Sequence, residues 1–130
     1  MVRNSKKARR LVVDGETFLW SLRHAHQVEE GQFFECREIL TISLFGAGGR
    51  LRIVFREGAG RVVPDGFAPS GSVGVVGGGW LNLHEPGTVR ALLDEAVSSG
   101  WQPSDPSSEQ MDGWALFDVV ASRRVLAPPD

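Results

Sequence analysis

Three histidines are the residues of this 130-residue chain best suited to chemistry: His24, His26 and His84. His24 and His26 stand two apart, so in extended backbone both rings point to the same side. With His84, and with Glu85 beside it, they form a candidate ligand set for Zn²⁺ or another divalent metal, because imidazole nitrogen and carboxylate oxygen are its usual donors. Glu85 would then be the candidate base. The opposing reading is a polar surface loop, since HAHQVEEGQ over residues 24–32 shows no apolar period.

Other nucleophiles have less behind them. Cys36 is the single cysteine, which removes an intrachain disulfide and a Cys-rich zinc site. It falls on the apolar side of a long strand pattern, where a thiol acts as a small buried hydrophobe. No G-x-S-x-G elbow occurs, so triad chemistry has no motif to rest on. The glycine-rich run 71–79 (GSVGVVGGG) lacks the Lys-Ser/Thr of a phosphate loop, and no helix starts directly after it. It reads as tightly turned backbone. Arg50, Arg52 and Arg56 alternate along one strand pattern and share a face with Arg37 of the preceding one. They form a candidate binding surface for an acidic partner or an anionic ligand. A salt-bridged surface with Glu35 and Glu57 is the competing account.

The element that must position these groups is the helix in WLNLHEPGTVRALLDEAVSSGW, residues 80–101. Val89, Leu92, Leu93, Ala96 and Val97 form one stripe at a 3.6-residue period. Pro86 suits the first helical position, and Glu85 or Thr88 is placed to cap it. Gly100 is placed for the left-handed C-terminal turn, Trp101 folds back on the stripe, and Pro103 stops continuation. Such a helix is marginal alone, so its apolar face must cover a sheet.

The rest of the chain supplies that sheet. Leu11–Val13 and Thr17–His24 flank Asp14-Gly15, a type I′ hairpin pair. Phe33–Phe45 and Arg50–Arg56 alternate around a Gly-rich turn, with Glu38 interrupting the apolar side where the strand is expected to leave the core. Residues 57–79 read as irregular loops or edge strands and Trp80–Leu83 as a short strand. Residues 102–113 read as a Ser/Pro/acidic loop and Trp114–Val120 as a closing strand. The expectation is an α+β fold: a mostly antiparallel β-meander of five to six strands with one amphipathic helix on one face. Residues 1–9 are a basic tail, 10–121 a single domain and 122–130 a C-terminal tail. Phe18, Trp20, Leu40, Ile42, Leu51 and Ile53 should meet the helix stripe.

The run PGTVRALLDEAVSSGWQP, following a meander that opens with VDGETFLW, resembles a group of small uncharacterised bacterial proteins, mainly actinobacterial. The group shares the aromatic-x-Trp strand and the Pro-x-x-Val-Arg to Gly-Trp-x-Pro helix. The resemblance implies the α+β fold and attaches no activity.

Charge restricts the partner. Five of the fourteen positive side chains lie in residues 1–10, which carry no acid; the other nine face sixteen acids, leaving the body at −7. An acidic body repels a duplex, so nucleic acid is not expected on the folded part, and the basic tail is the only route to it. No run approaches the ~18 apolar residues of a membrane span, and no apolar signal segment follows the basic tail. With one cysteine, a reducing cytoplasm is the expected compartment. Together these features favour a non-catalytic macromolecular interaction module with an unidentified protein partner and no required cofactor. The metal- or small-ligand enzyme built on His24, His26 and His84 is one alternative. A nucleic-acid-associated protein acting through its tail is the other.

Overall fold

The structure, a computed structural model, describes residues 8–64 and 70–126. The basic tail over residues 1–7, and residues 127–130 of the C-terminal tail, lie outside them. Alternating strands begin the fold, and left-handed dipeptides turn them. β1 (Arg9–Val13) and β2 (Glu16–Glu29) are joined by Asp14 and Gly15, with φ of 51° and 83°. Positive φ at both central residues gives a turn whose twist matches that of the flanking strands. β2 continues past His24, through the stretch read as a polar loop. A second left-handed pair, Glu30 (φ 53°) and Gly31 (φ 78°), returns the chain into β3 (Gln32–Leu44). Polarity had argued for a loop, but a two-stranded arm with both faces in water needs no apolar period.

β4 (Arg50–Arg56) pairs antiparallel with β3, placing Ile53 beside Leu40 and Leu51 beside Ile42. β5 (Arg61–Val62), β6 (Ser72–Val75) and β7 (Trp80–Asn82) form a separate three-stranded antiparallel sheet. α1 (Pro86–Ser98) follows, then β8 (Ser108–Asp112) and α2 (Gly113–Leu126). The larger sheet has the order β1-β2-β3-β4-β8, with β8 parallel to β4. That pairing needs a crossover, and α1 lies within it.

Trp114–Val120 is not a closing strand: it lies in α2, so two helices are present among the described residues and not one. Asp112 Oδ1 accepts the amide of Trp114 at 3.0 Å, an N-cap, and Arg123 and Arg124 occupy the last turn. Trp114, Phe117, Val120 and Ala121 are buried while Ala115, Asp118 and Val119 are exposed, a helical period inside a run short enough to pass for a strand. The closing strand is β8, within the segment read as a loop. α2 extends to Leu126, across the boundary placed at residue 121.

α1 ends as its sequence requires. Gly100 has φ 116°, Gly100 N–H donates to Val97 O at 3.0 Å, and Trp101 N–H donates to Ala96 O at 3.0 Å. These are the two bonds of a Schellman end, which turns Trp101 back into the core. Val89, Leu92, Leu93, Ala96 and Trp101 share one core cluster with Phe18, Trp20, Leu40, Ile42, Leu51 and Ile53. Val97 is 45% exposed and drops out of the expected stripe, while Thr88 is buried. Val63, Val73, Leu81 and Leu83 of the small sheet, and Phe117 and Val120 of α2, belong to the same cluster. The fold is therefore α+β and mostly antiparallel, around one core.

Close packing at the end of β3–β4 is checkable at Gly49. A Cβ there would stand 2.2 Å from the carbonyl oxygen of Pro103 and 2.7 Å from that of Asp105. Backbone cannot swing aside as a flexible side chain can, so the Pro103–Pro106 turn must shift. Gly49→Ala is expected to destabilise by about 1–3 kcal/mol in denaturant unfolding, as overpacking generally does. An unchanged midpoint would show that the turn yields freely.

Candidate functional site

Two surfaces hold the residues singled out by sequence. The first gathers around Glu38. It follows Cys36 and precedes Leu40 on the inner side of β3, and it does not leave the core: it is 1% exposed. A buried carboxylate must be hydrogen-bonded to be tolerated. Glu38 Oε2 lies 2.7 Å from His24 Nδ1, directly across the β2–β3 pair, and Oε1 accepts the Gly71 amide at 3.1 Å. The His24 side chain is 31% exposed, so the pair joins a buried carboxylate to an imidazole that reaches water.

The other histidines sit close by. His26 follows on β2, its ring centroid 5.1 Å from that of His24. His84, in the turn before α1, reaches the cluster through Gly71. A Cβ on Gly71, whose φ is +80°, would stand 2.5 Å from His84 Cδ2, so the ring packs directly against the glycine. His84 Nε2 lies 3.1 Å from Ser70 Oγ. The structure therefore brings His24 and His26 together and connects His84 to them through Glu38 and Gly71, not ring to ring.

Among the described residues, no group of three or more His, Cys, Asp or Glu is arranged to hold a metal ion. The metal reading of His24, His26 and His84 gains no ligand set from this geometry. Glu85 is engaged elsewhere: its Oε1 receives Thr88 Oγ1 and Arg124 Nη2, both at 3.4 Å, beside α1 and α2. Cys36 is 1% exposed within the core cluster. The glycine run is the β6–β7 hairpin and its approaches, with Gly74 so close beneath Trp80 that a Cβ would stand 2.4 Å from the indole. Sequence reading missed Glu38 and Ser70 as site residues. The signal for Glu38 was its place in the apolar alternation Cys36-Glu38-Leu40; Ser70 gave none.

The second surface is the outer face of the larger sheet. The described helices and the small sheet share the core cluster with the inner face, and the outer face carries Arg23 on β2, Arg37 on β3 and Arg50, Arg52 and Arg56 on β4. Ile39 and Val54 pair across β3–β4 on this face, 2% and 3% exposed, between the Arg37–Arg56 and Thr41–Arg52 rungs. Among the described residues, no ion pair involves these five arginines. Arg37 donates to the backbone carbonyl of Glu35 at 3.3 Å, and the Glu35 carboxylate accepts from Gln27.

The face has two ends of different character. Arg37 and Arg56 line a groove of about 410 Å³ with Glu35 and Glu57, so that end is mixed in charge. Arg23 and Arg50 line a groove of about 420 Å³ with Leu19, Ser21, Thr41 and Ser43, and among the described residues no acid lines it. The expected four-arginine patch thus divides: Arg50 and Arg52, joined by Arg23, form its uncompensated part.

No described helix is long and apolar enough to cross a membrane. No known protein family, curated protein or solved structure matches the chain.

Proposed function

We propose that this protein is an interaction module whose outer sheet face takes an extended acidic segment of a protein partner. The carrying observation is the groove edged by Arg23 and Arg50, with no acid among its described lining residues and with Arg52 two residues further along β4. Guanidinium groups pair with carboxylates bidentately, and Ser21, Thr41 and Ser43 add neutral donors between them. Arg50 and Arg52 project from the same face about 6.6–6.8 Å apart, the spacing of alternate side chains in any extended strand. A peptide with acids at every second position matches that row. A body charge of −7 disfavours a polyanion at long range, which is why a short acidic segment fits better than nucleic acid.

Fluorescence anisotropy with an extended Glu-Thr repeat peptide tests this reading, against a Lys-Thr peptide and a single-stranded oligonucleotide. The acidic peptide should bind and weaken as salt rises. Exposed pairs contribute about 0.5–1 kcal/mol each, so removing two in Arg50→Ala/Arg52→Ala should weaken binding roughly 5–30-fold. Equal affinity in the double variant, or preference for the oligonucleotide, would reject the proposal.

A further inference from the structure

We propose that Ser70 is an activated serine nucleophile with His84 as its general base, at a site that accepts an acyl group from an ester. Ser70 Oγ and His84 Nε2 stand 3.1 Å apart, within the range of a working nucleophile–base pair, and the contact is open to solvent. The inference is independent of the interaction reading.

What separates this pair from an ordinary surface hydrogen bond is how firmly it is held. The His84 amide donates to Asn82 Oδ1 at 3.0 Å, and its carbonyl accepts from Arg9 Nη1 at 3.0 Å. The ring rests on Gly71, which leaves no room for a Cβ. Gly71 is itself fixed on both sides: its amide donates to the buried Glu38 carboxylate, and its carbonyl accepts the Leu83 amide at 2.8 Å. The residue after the nucleophile and the residue before the base are thus bonded to each other. Such fixed geometry lowers the cost of reaching a reactive arrangement. Glu38 is a positioning residue here, acting through the Gly71 amide.

The chemistry balances without a cofactor. With the His84 proton on Nδ1, Nε2 accepts the hydrogen bond from Ser70. As Oγ attacks the ester carbonyl carbon, the hydroxyl proton passes to Nε2 and the carbonyl π electrons move onto oxygen. When the tetrahedral centre collapses, the bond to the alkoxy oxygen breaks, and that oxygen takes the proton from Nε2 and leaves as an alcohol. Water then attacks the acyl-serine, its proton passing through Nε2 back to Oγ, and a carboxylic acid is released.

An alkyl fluorophosphonate reads nucleophile activation directly, because Oγ–P bond formation expels fluoride and the hydroxyl proton goes to His84. The full chain should gain one adduct, mapped to Ser70 by peptide mass spectrometry. The adduct should be absent in Ser70→Ala and form at least tenfold more slowly in His84→Ala. His84→Gln, closer in size, decides the matter if the alanine variant does not fold by circular dichroism. Glu38→Ala takes the acceptor from the Gly71 amide and should slow labelling in folded protein, with Glu38→Gln, which keeps an acceptor, restoring part of the rate; wild-type labelling of a folded Glu38→Ala would remove the positioning role. No adduct on Ser70, or equal rates in a folded His84 variant, would overturn the proposal. Peptide binding by the arginine face is unaffected by any of these outcomes.

Discussion

Replacing Trp101 with alanine is expected to destabilise the protein by about 3–5 kcal/mol, the range for deleting a buried indole. For a chain of this length that lowers the thermal midpoint by roughly 10–20 °C. Trp101 is 1% exposed and sits where the Schellman end of α1 folds back into the core cluster. Its removal opens a cavity bounded by helix and sheet, where neither can collapse without shifting the other. Trp101→Phe provides the contrast. Among the described residues Trp101 Nε1 has no hydrogen-bond acceptor, and an unpaired buried donor costs about 1–3 kcal/mol. Phenylalanine keeps most of the ring and removes that donor, so its net loss should be under about 2 kcal/mol, the smaller cavity being partly offset. Equal losses in the two variants would show that the indole N–H is satisfied in solution.

Glu38→Ala should be nearly as damaging, at about 3 kcal/mol. It leaves the Gly71 amide without an acceptor in a dry environment, strips His24 of its partner and opens a cavity. Glu38→Gln retains an acceptor and the volume, and should lose only about 1 kcal/mol. Hydrogen exchange gives the sharper reading. If Glu38 ties the small sheet to β3, Glu38→Ala should speed exchange at Gly71 and in β6 and β7 far more than in β1 or β2. Uniform acceleration across both sheets would mean that the carboxylate supports global stability alone.

Much of this architecture could be read locally. The Asp14-Gly15 turn, the β3–β4 alternation and α1 from Pro86 to Trp101 each carry their own instructions, because the bonds that define them lie within a few residues. The segment after Trp101 could not be read that way. SEQMD has little strand propensity and becomes β8 only because the parallel edge of β4 accepts it. WALFDVV satisfies a strand pattern as well as a helical one, and burial of Trp114 against Phe55, at 5.2 Å and 90°, selects the helix. A Cβ on Gly113 would stand 2.6 Å from the Phe55 ring, so that close approach also depends on the glycine.

The same division runs through the candidate sites. Alternation alone put Arg50, Arg52, Arg56 and Arg37 on one face, since side-chain direction in a strand has a fixed period of two. Sequence spacing also made a pair of His24 and His26. It did not show that Glu38 would be buried against His24, or that Ser70 would meet His84 across the start of β6, because those contacts join residues 14 apart through the register of the β2–β3 and β6–β7 pairs, which spacing along the chain does not fix. Local geometry is encoded by neighbours along the chain, whereas the partners of a buried charge are chosen by whatever surface folds over it.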